Sequence, residues 1–241
     1  MIVEICANSY QSAMNAVQAG AHRIELCSEL AVGGITPSYG LLKQVMQEST
    51  IPVHVLIRPR SGDFTYSDKE FEIMKENITL CKELGCAGIV SGILNTDHTI
   101  DLERTQTLIE LSKPLHFTFH RAFDWVANPL IEIEKLASIG VDSVLTSGQE
   151  FSASKGIELL KALKGKTDVK IMPGAGININ NVMLFKEAGF KEVHLSATKQ
   201  TQTIESPKIS MNSSKLLSDS ALFHSDIEHI QNILKKVKNE G

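Results

Sequence analysis

The sequence predicts an α/β fold, a closed (β/α)8 barrel built as one domain over residues 1–241, and three observations carry that prediction. Helix-like stretches end at Gly20, Gly85, Gly140, Gly165 and Gly189, and each is followed within a few residues by a short apolar run, as expected of helix-ending glycines that lead into buried strands. Four of the runs align as a weak internal repeat: Gly20 to Cys27, Gly85 to Gly92, Gly140 to Ser147 and Gly189 to Ser196, spaced by about two βα units. Between them fall four more apolar runs, Ile2 to Cys6, Val53 to Arg60, His116 to Ala122 and Lys170 to Gly174, so that strand and helix alternate eight times. A doubly wound open sheet is the competing arrangement.

The helices have start signals of their own. Ser9 and Ser38 stand before the first two, and Ser67 forms Ser-x-x-Glu with Glu70 ahead of an apolar stripe at Phe71, Met74, Ile78 and Cys81. Asn128 precedes Pro129 and the stripe Leu130, Ile133, Leu136. Asn178 and Asn180 are offered as caps after the seventh strand, and Ser225 with Glu228 as the cap of the last helix. From about 199 to 224 the chain is polar and Ser-rich, which predicts a long loop after the eighth strand, on the side where barrels build their sites.

Composition excludes several function classes. Hydrophobic residues are 42% and charged residues 22%, the make-up of an ordinary folded protein rather than a disordered or fibrous one. The formal net charge of -4 provides no positive field for nucleic acid or an anionic membrane surface. Glu4 interrupts the N-terminal apolar run, no basic segment precedes it, and no 18-residue apolar run occurs, so a cytoplasmic location is expected. Four cysteines in a reducing compartment read as thiols, metal ligands or core fillers rather than disulfides.

Strand parity carries most of the chemistry. One parity is apolar in every strand (Val3 and Ile5, Ile24 and Leu26, Val53 and Val55, Phe117 and Phe119, Val193 and Leu195) and must face the helices. The other then faces the barrel axis and holds Glu4 and Cys6, Glu25 and Cys27, His54, Arg58 and Arg60, Thr118 and His120, Met172 and Gly174, His194 and Ser196. A structural reading pairs Glu4 and Glu25 with Arg58 and nearby histidines in an ion-paired core, since unpaired burial would cost several kcal/mol. A functional reading notes that these groups cluster at the C-terminal strand ends, and that strands 1, 2 and 8 are barrel neighbours, which puts Glu4, Glu25 and His194 in one pocket.

Particular chemistries follow from that placement. Cys6 and Cys27 end adjacent strands facing inward, and two soft thiolates suit Cu(I), with His120, His194 or Met172 as additional ligands; buried cysteines also serve as small hydrophobes, as expected of Cys81 and Cys86. Gly174 and Gly176 in Pro173-Gly-Ala-Gly176, together with Ser196, form a candidate anion site, because barrels often bind phosphate at the loops after strands 7 and 8. Arg58 and Arg60 suit a carboxylate or phosphate ligand. His120 and Asp124 make a candidate acid/base pair, or simply knit loops together.

Several blocks of this sequence resemble the CutC family: Glu4-Ile-Cys6, Arg23-Ile-Glu-Leu-Cys-Ser28, Gly33-Gly-Ile-Thr-Pro-Ser38, Ile57-Arg-Pro-Arg60, Thr118-Phe-His-Arg-Ala-Phe-Asp124, Leu145-Thr-Ser-Gly148 and Met172-Pro-Gly-Ala-Gly176. The resemblance runs in order from residue 2 to about 198 and fades beyond, and Ala175 stands where a glycine is common. It implies a cytoplasmic copper homeostasis protein with Cu(I) on the two cysteines that match Cys6 and Cys27. The alternative is a barrel enzyme that uses Glu4, Glu25, Arg58, His120, Asp124 and His194 for acid/base work on a small phosphate- or carboxylate-bearing metabolite. Either function needs only a metal ion or small molecule as partner, and a homo-oligomer is compatible with both.

Overall fold

The computed structural model describes residues 1–212 and 218–239. Eight short parallel strands form its centre: β1 (Ile2–Ala7), β2 (Arg23–Leu26), β3 (Val53–Leu56), β4 (Gly88–Ser91), β5 (His116–Phe119), β6 (Ser143–Thr146), β7 (Lys170–Pro173) and β8 (Glu192–Leu195). Their order is β7-β6-β5-β4-β3-β2-β1-β8, a nearly closed barrel in which hydrogen-bonded ladders join every neighbouring pair except β7 and β8. Helices α1 (Tyr10–Ala19), α2 (Tyr39–Glu48), α3 (Asp68–Glu83), α4 (Leu102–Ser112), α5 (Pro129–Ser138), α6 (Ile157–Lys166), α7 (Val182–Glu187) and α8 (Ile227–Asn239) alternate with the strands.

The local signals act largely as read. The Ser9 side chain accepts from the Ser12 amide, Ser38 from Leu41, and Ser67 and Glu70 complete a reciprocal capping box. Gly20 closes α1 in the left-handed region at φ 82°, where a Cβ would be strained. Gly165, in contrast, lies inside α6, which runs one residue further. Ser225 is the last residue of a strand, and it is Asp226 that accepts from the His229 amide at 3.0 Å at the start of α8, because a carboxylate caps as well as a hydroxyl. Asn178 and Asn180 lie in the turn before α7, whose cap position is Asn181.

The stretch expected as a loop at 199–224 is partly a hairpin. β9 (Thr198–Gln202) and β10 (Ala221–Ser225) pair antiparallel, with Thr198 opposite Ser225; residues 213–217 of that stretch lie outside the described residues.

The parity argument describes the barrel well. Val3, Ile5, Ile24, Leu26, Val53, Val55, Phe117, Phe119, Val193 and Leu195 join the helices in one apolar core outside the barrel wall. Cys81 and Cys86 are buried in that same core. Inside the wall, Cys6, Cys27, Leu56 and Val90 form a small cluster of their own. Arg60 departs from the inward pattern: β3 ends at Leu56, and beyond Pro59 the Arg60 side chain turns outward to Glu70 at 2.6 Å and Asp63 at 3.0 Å. Proline has no amide hydrogen to continue a ladder, so the alternation ends there.

Candidate functional site

The charged interior is built in two tiers. In the lower tier, Arg23 of β2 donates from Nε to Glu4 Oε2 and from Nη2 to Glu192 Oε2, each at 2.5 Å, and also meets the Met172 sulfur at 3.4 Å. Glu4 and Glu192 are almost wholly buried, so only pairing of this quality offsets their desolvation. Burial alone would raise the Glu4 carboxyl, but the His194 hydrogen bond and the Arg23 charge outweigh it and hold it far below the usual carboxylate range. The partners of Glu4 are thus Arg23 and His194: the expected histidine is there, while Arg23 takes the place expected of Arg58. His54 stacks on His116 at 5.0 Å beside this tier, and burial pushes its pKa down to about 3, which keeps the ring neutral.

Above it, at the C-terminal mouth, opens a cavity of about 280 Å³ lined by Cys6, Glu25, Arg58, His120, His194 and Ser196 with loop residues around them. His194 Nδ1 lies 2.8 Å from Glu4 Oε1 and 3.8 Å from Glu25 Oε2, so one imidazole bridges the tiers. Glu4 itself is fully buried beneath the cavity and does not line it. Burial raises Glu25 to about 7, with the neighbouring Glu4 charge adding to the rise and His194 opposing it; its Oε2 has no hydrogen-bond partner among the described residues. Burial pulls His194 down, yet the charges of Glu25 and Glu4 raise it above its ordinary value.

Sulfur sits on one side of this group. Cys6 Sγ is 3.7 Å from Cys27 Sγ and 3.9 Å from Glu25 Oε1. Ligand atoms of Cys6, Glu25 and His194 all lie within 4.8 Å of one another, a set of one thiol, one carboxylate and one imidazole. Metal–sulfur bonds of ~2.3 Å around a trigonal ion put donors ~4 Å apart, which the two sulfurs nearly match. Against this, the hydrogen bond with Cys27, together with burial and the nearby carboxylates, raises the Cys6 thiol well above its ordinary value. Neither Met172, whose sulfur turns to Arg23, nor His120 joins the set among the described residues.

The remaining predicted residues divide. Arg58 is buried, with Nη1 donating to the carbonyls of Val32 and Gly34 and Nη2 to that of Gly62, each at 2.8 Å, and with the Tyr66 hydroxyl nearby. Asp124 does not pair with His120: it accepts from Arg121, from the Ser147 hydroxyl and amide and from the Thr146 hydroxyl at 2.5 Å, and so ties the loops after β5 and β6 together. Gly174 is buried and donates to the Thr146 carbonyl; a Cβ there would meet Leu145 at 2.5 Å, so close packing explains the glycine. Gly176, at φ 70°, and Ser196 do line the cavity, but α7 starts only at Val182, so no helix N-terminus adjoins Gly176.

Arg23, Glu192 and His116 escaped the sequence reading although parity was enough to find them. Each lies two residues before an inward group already recognised: Glu25, His194 and Thr118.

The family model for the CutC family matches residues 1–199. The chain belongs to the CutC family. It is 47% identical over 199 residues to a family protein CutC of Proteus mirabilis (strain HI4320), covering 82% of this chain and 80% of that one. It is 49% identical over 201 residues to one of Enterobacter sp. (strain 638), covering 83% and 81%. A solved CutC structure from Streptococcus agalactiae, whose description names copper homeostasis, superposes with a TM-score of 0.76 at 34% identity, covering 81% of this chain and 98% of that one. A thiamine phosphate pyrophosphorylase from Pyrococcus furiosus shares the barrel fold, with a TM-score of 0.61 at 13% identity and coverage of 99% and 96%. The family match ends where β9 begins, so the hairpin lies almost wholly outside it. Among the described residues no helix is long and apolar enough to cross a membrane.

Proposed function

We propose that this member of the copper homeostasis family uses its barrel mouth for proton transfer on a small anionic molecule, with Glu25 and His194 as the groups that exchange the proton. The observation that supports this most is Glu25. A carboxyl with an unpartnered buried oxygen lines a cavity, and its pKa is raised to about 7 beside an imidazole, the poise useful to a general acid or base. The test is exchange of carbon-bound hydrogen in deuterated water, read by proton NMR over a panel of small keto and hydroxy acids and their phosphates. Wild-type protein exchanges at least one panel member, and Glu25→Gln lowers that rate ~100-fold or more. Absence of exchange across the whole panel overturns the reading.

A second reading is favoured by the sulfur geometry: Cu(I) held by Cys6 with Cys27, Glu25 or His194. One soft thiol among three donors within 4.8 Å supports it, as does the copper homeostasis named in the description of the Streptococcus agalactiae structure. Anaerobic titration with Cu(I) then gives about one equivalent per chain, lost in the Cys6→Ser, Cys27→Ser double variant. Unchanged affinity in that variant removes the thiolate site. Four free cysteines fit either reading in a reducing, cytoplasmic setting.

A further inference from the structure

His120 is the last inward residue of the β5 arm, across the barrel from β1. Its Nδ1 accepts from the Ala122 backbone amide at 3.2 Å, so that nitrogen carries a lone pair and no proton. An imidazole holds at least one proton, which therefore sits on Nε2. Nε2 has no partner among the described residues, and the residue is only 5% exposed. The ring is clamped: Phe64 packs on it at 4.9 Å, and a Cβ on Gly92 would come within 2.7 Å of Nδ1. Burial and the Arg58 charge hold the ring neutral, in agreement with that tautomer. Arg58 lies over the same Phe64 ring, 4.9 Å from its centroid, immobilised by three carbonyls.

This wall therefore carries one buried N–H without an acceptor among the described residues, on His120, and one fixed positive charge, on Arg58, which also stands beside the Tyr66 hydroxyl. A buried donor left unsatisfied costs the fold and calls for an explanation, and His120 and Arg58 both line the cavity, where a ligand can supply the acceptor.

We propose that His120 Nε2–H and Arg58 form an anchor for an anionic oxygen, a carboxylate or phosphate of a small metabolite, with His120 a neutral donor that positions the ligand rather than an acid or base. The cavity of about 280 Å³ limits the ligand to a small molecule. The anchor rests on the proton-transfer reading and deepens it, since it holds the charged end of the molecule in the cavity that Glu25 and His194 also line.

The test begins with nitrogen-15 NMR of the full chain, in which His120 shows an unprotonated Nδ1 and a protonated Nε2 at neutral pH. Malonate, glycolate and inorganic phosphate are then titrated, with malonamide and glycolamide as uncharged controls, into wild type, His120→Phe and Glu25→Gln. At least one anion binds wild type and moves the Nε2–H resonance, and the amides do not. Affinity for that anion falls about tenfold or more in His120→Phe and is retained in Glu25→Gln. The resonance shift needs no variant, so the proposal stays testable if His120→Phe does not fold. Which anion binds tells carboxylate from phosphate. A proton on Nδ1, no shift with any anion, equal affinity in His120→Phe or lost affinity in Glu25→Gln overturns the anchor. Intact anion binding without any hydrogen exchange overturns only the proton-transfer reading.

Discussion

His194 donates from Nδ1 to Glu4 Oε1 over 2.8 Å, and this bond joins a structural tier to a reactive one. Below it, Glu4 is kept ionised by this His194 hydrogen bond and by the Arg23 charge; above it, Glu25 is pushed toward the neutral acid by burial and by the Glu4 charge. Two carboxylates a few residues apart in space are thus driven to opposite protonation states by their surroundings.

Removing the cation of the lower tier exposes its structural role. Arg23→Met leaves Glu4 and Glu192 buried without their shared partner, and breaking such a pair costs ~3 to 5 kcal/mol. Urea unfolding followed by circular dichroism measures this as a lowered midpoint at unchanged slope. A loss under ~1 kcal/mol would show that the tier does not hold the barrel together.

Glu25→Gln acts in the opposite direction and depends on pH. The folded-state pKa is raised to about 7 from an ordinary 4.5, so the group's contribution is fully present below 4.5 and is lost as pH rises through about 7. Glutamine cannot ionise and escapes that loss. The variant therefore gains on wild type between pH 4.5 and 8, by an amount on the order of 3 kcal/mol. Midpoints at pH 5 and pH 8 check it, and a difference that does not change with pH contradicts it.

His54 gives the reverse slope. Its pKa falls to about 3 from 6.5, so stability is full above 6.5 and is lost as pH falls toward 3, while the unfolded chain takes up a proton the folded ring refuses. Glu4 favours the charged ring, whereas Arg23 and His116 oppose it, and burial decides. At pH 5 the loss is ~2 kcal/mol, and His54→Gln removes that part of the acid slope. Parallel pH–stability curves for the two proteins would refute the assignment.

Gly88 supports the same histidine. A Cβ there would stand 2.5 to 2.7 Å from three His54 ring atoms, so Gly88→Ala displaces the ring and costs ~1 to 3 kcal/mol. Thermal denaturation reads this directly, and an unchanged melting temperature would mean that the ring has room to move.

Much of this was legible in the sequence because barrel strands impose a period of two. Val3, Glu4, Ile5 and Cys6 already state which side is core and which is axis, and helix-ending glycines mark where strands start. Pairing partners were not legible. Inward parity offers Glu4 both Arg58 and the histidines, and His194 does pair with it, but Arg23 sits beside Glu4 in the β1–β2 register, whereas Arg58 lies beyond β3 at the height of the loops. The spacing of His120 and Asp124 allows either a pair or a loop tie, and the single-turn helix at Arg121–Trp125 decides for the tie by turning the Asp124 carboxylate to Thr146 and Ser147. The hairpin at β9 and β10 lacks an apolar alternation, since neither face of it is core.

The seam between β7 and β8 has one more consequence. Closed barrels owe their rigidity to ladders that leave no free strand edge, yet here two edges meet without one. Side chains do the joining: Arg23 reaches the Met172 sulfur on β7 and the Glu192 carboxylate on β8, and Lys170 stands 3.8 Å from Glu192. Hydrogen exchange should register this as a line of weakness, with amides along the facing edges of β7 and β8 trading their protons before those of β1 to β5. Because Gly176 and Ser196 continue these two strands into the mouth, a bound molecule that touches both would act as a clasp, slowing exchange down the whole seam.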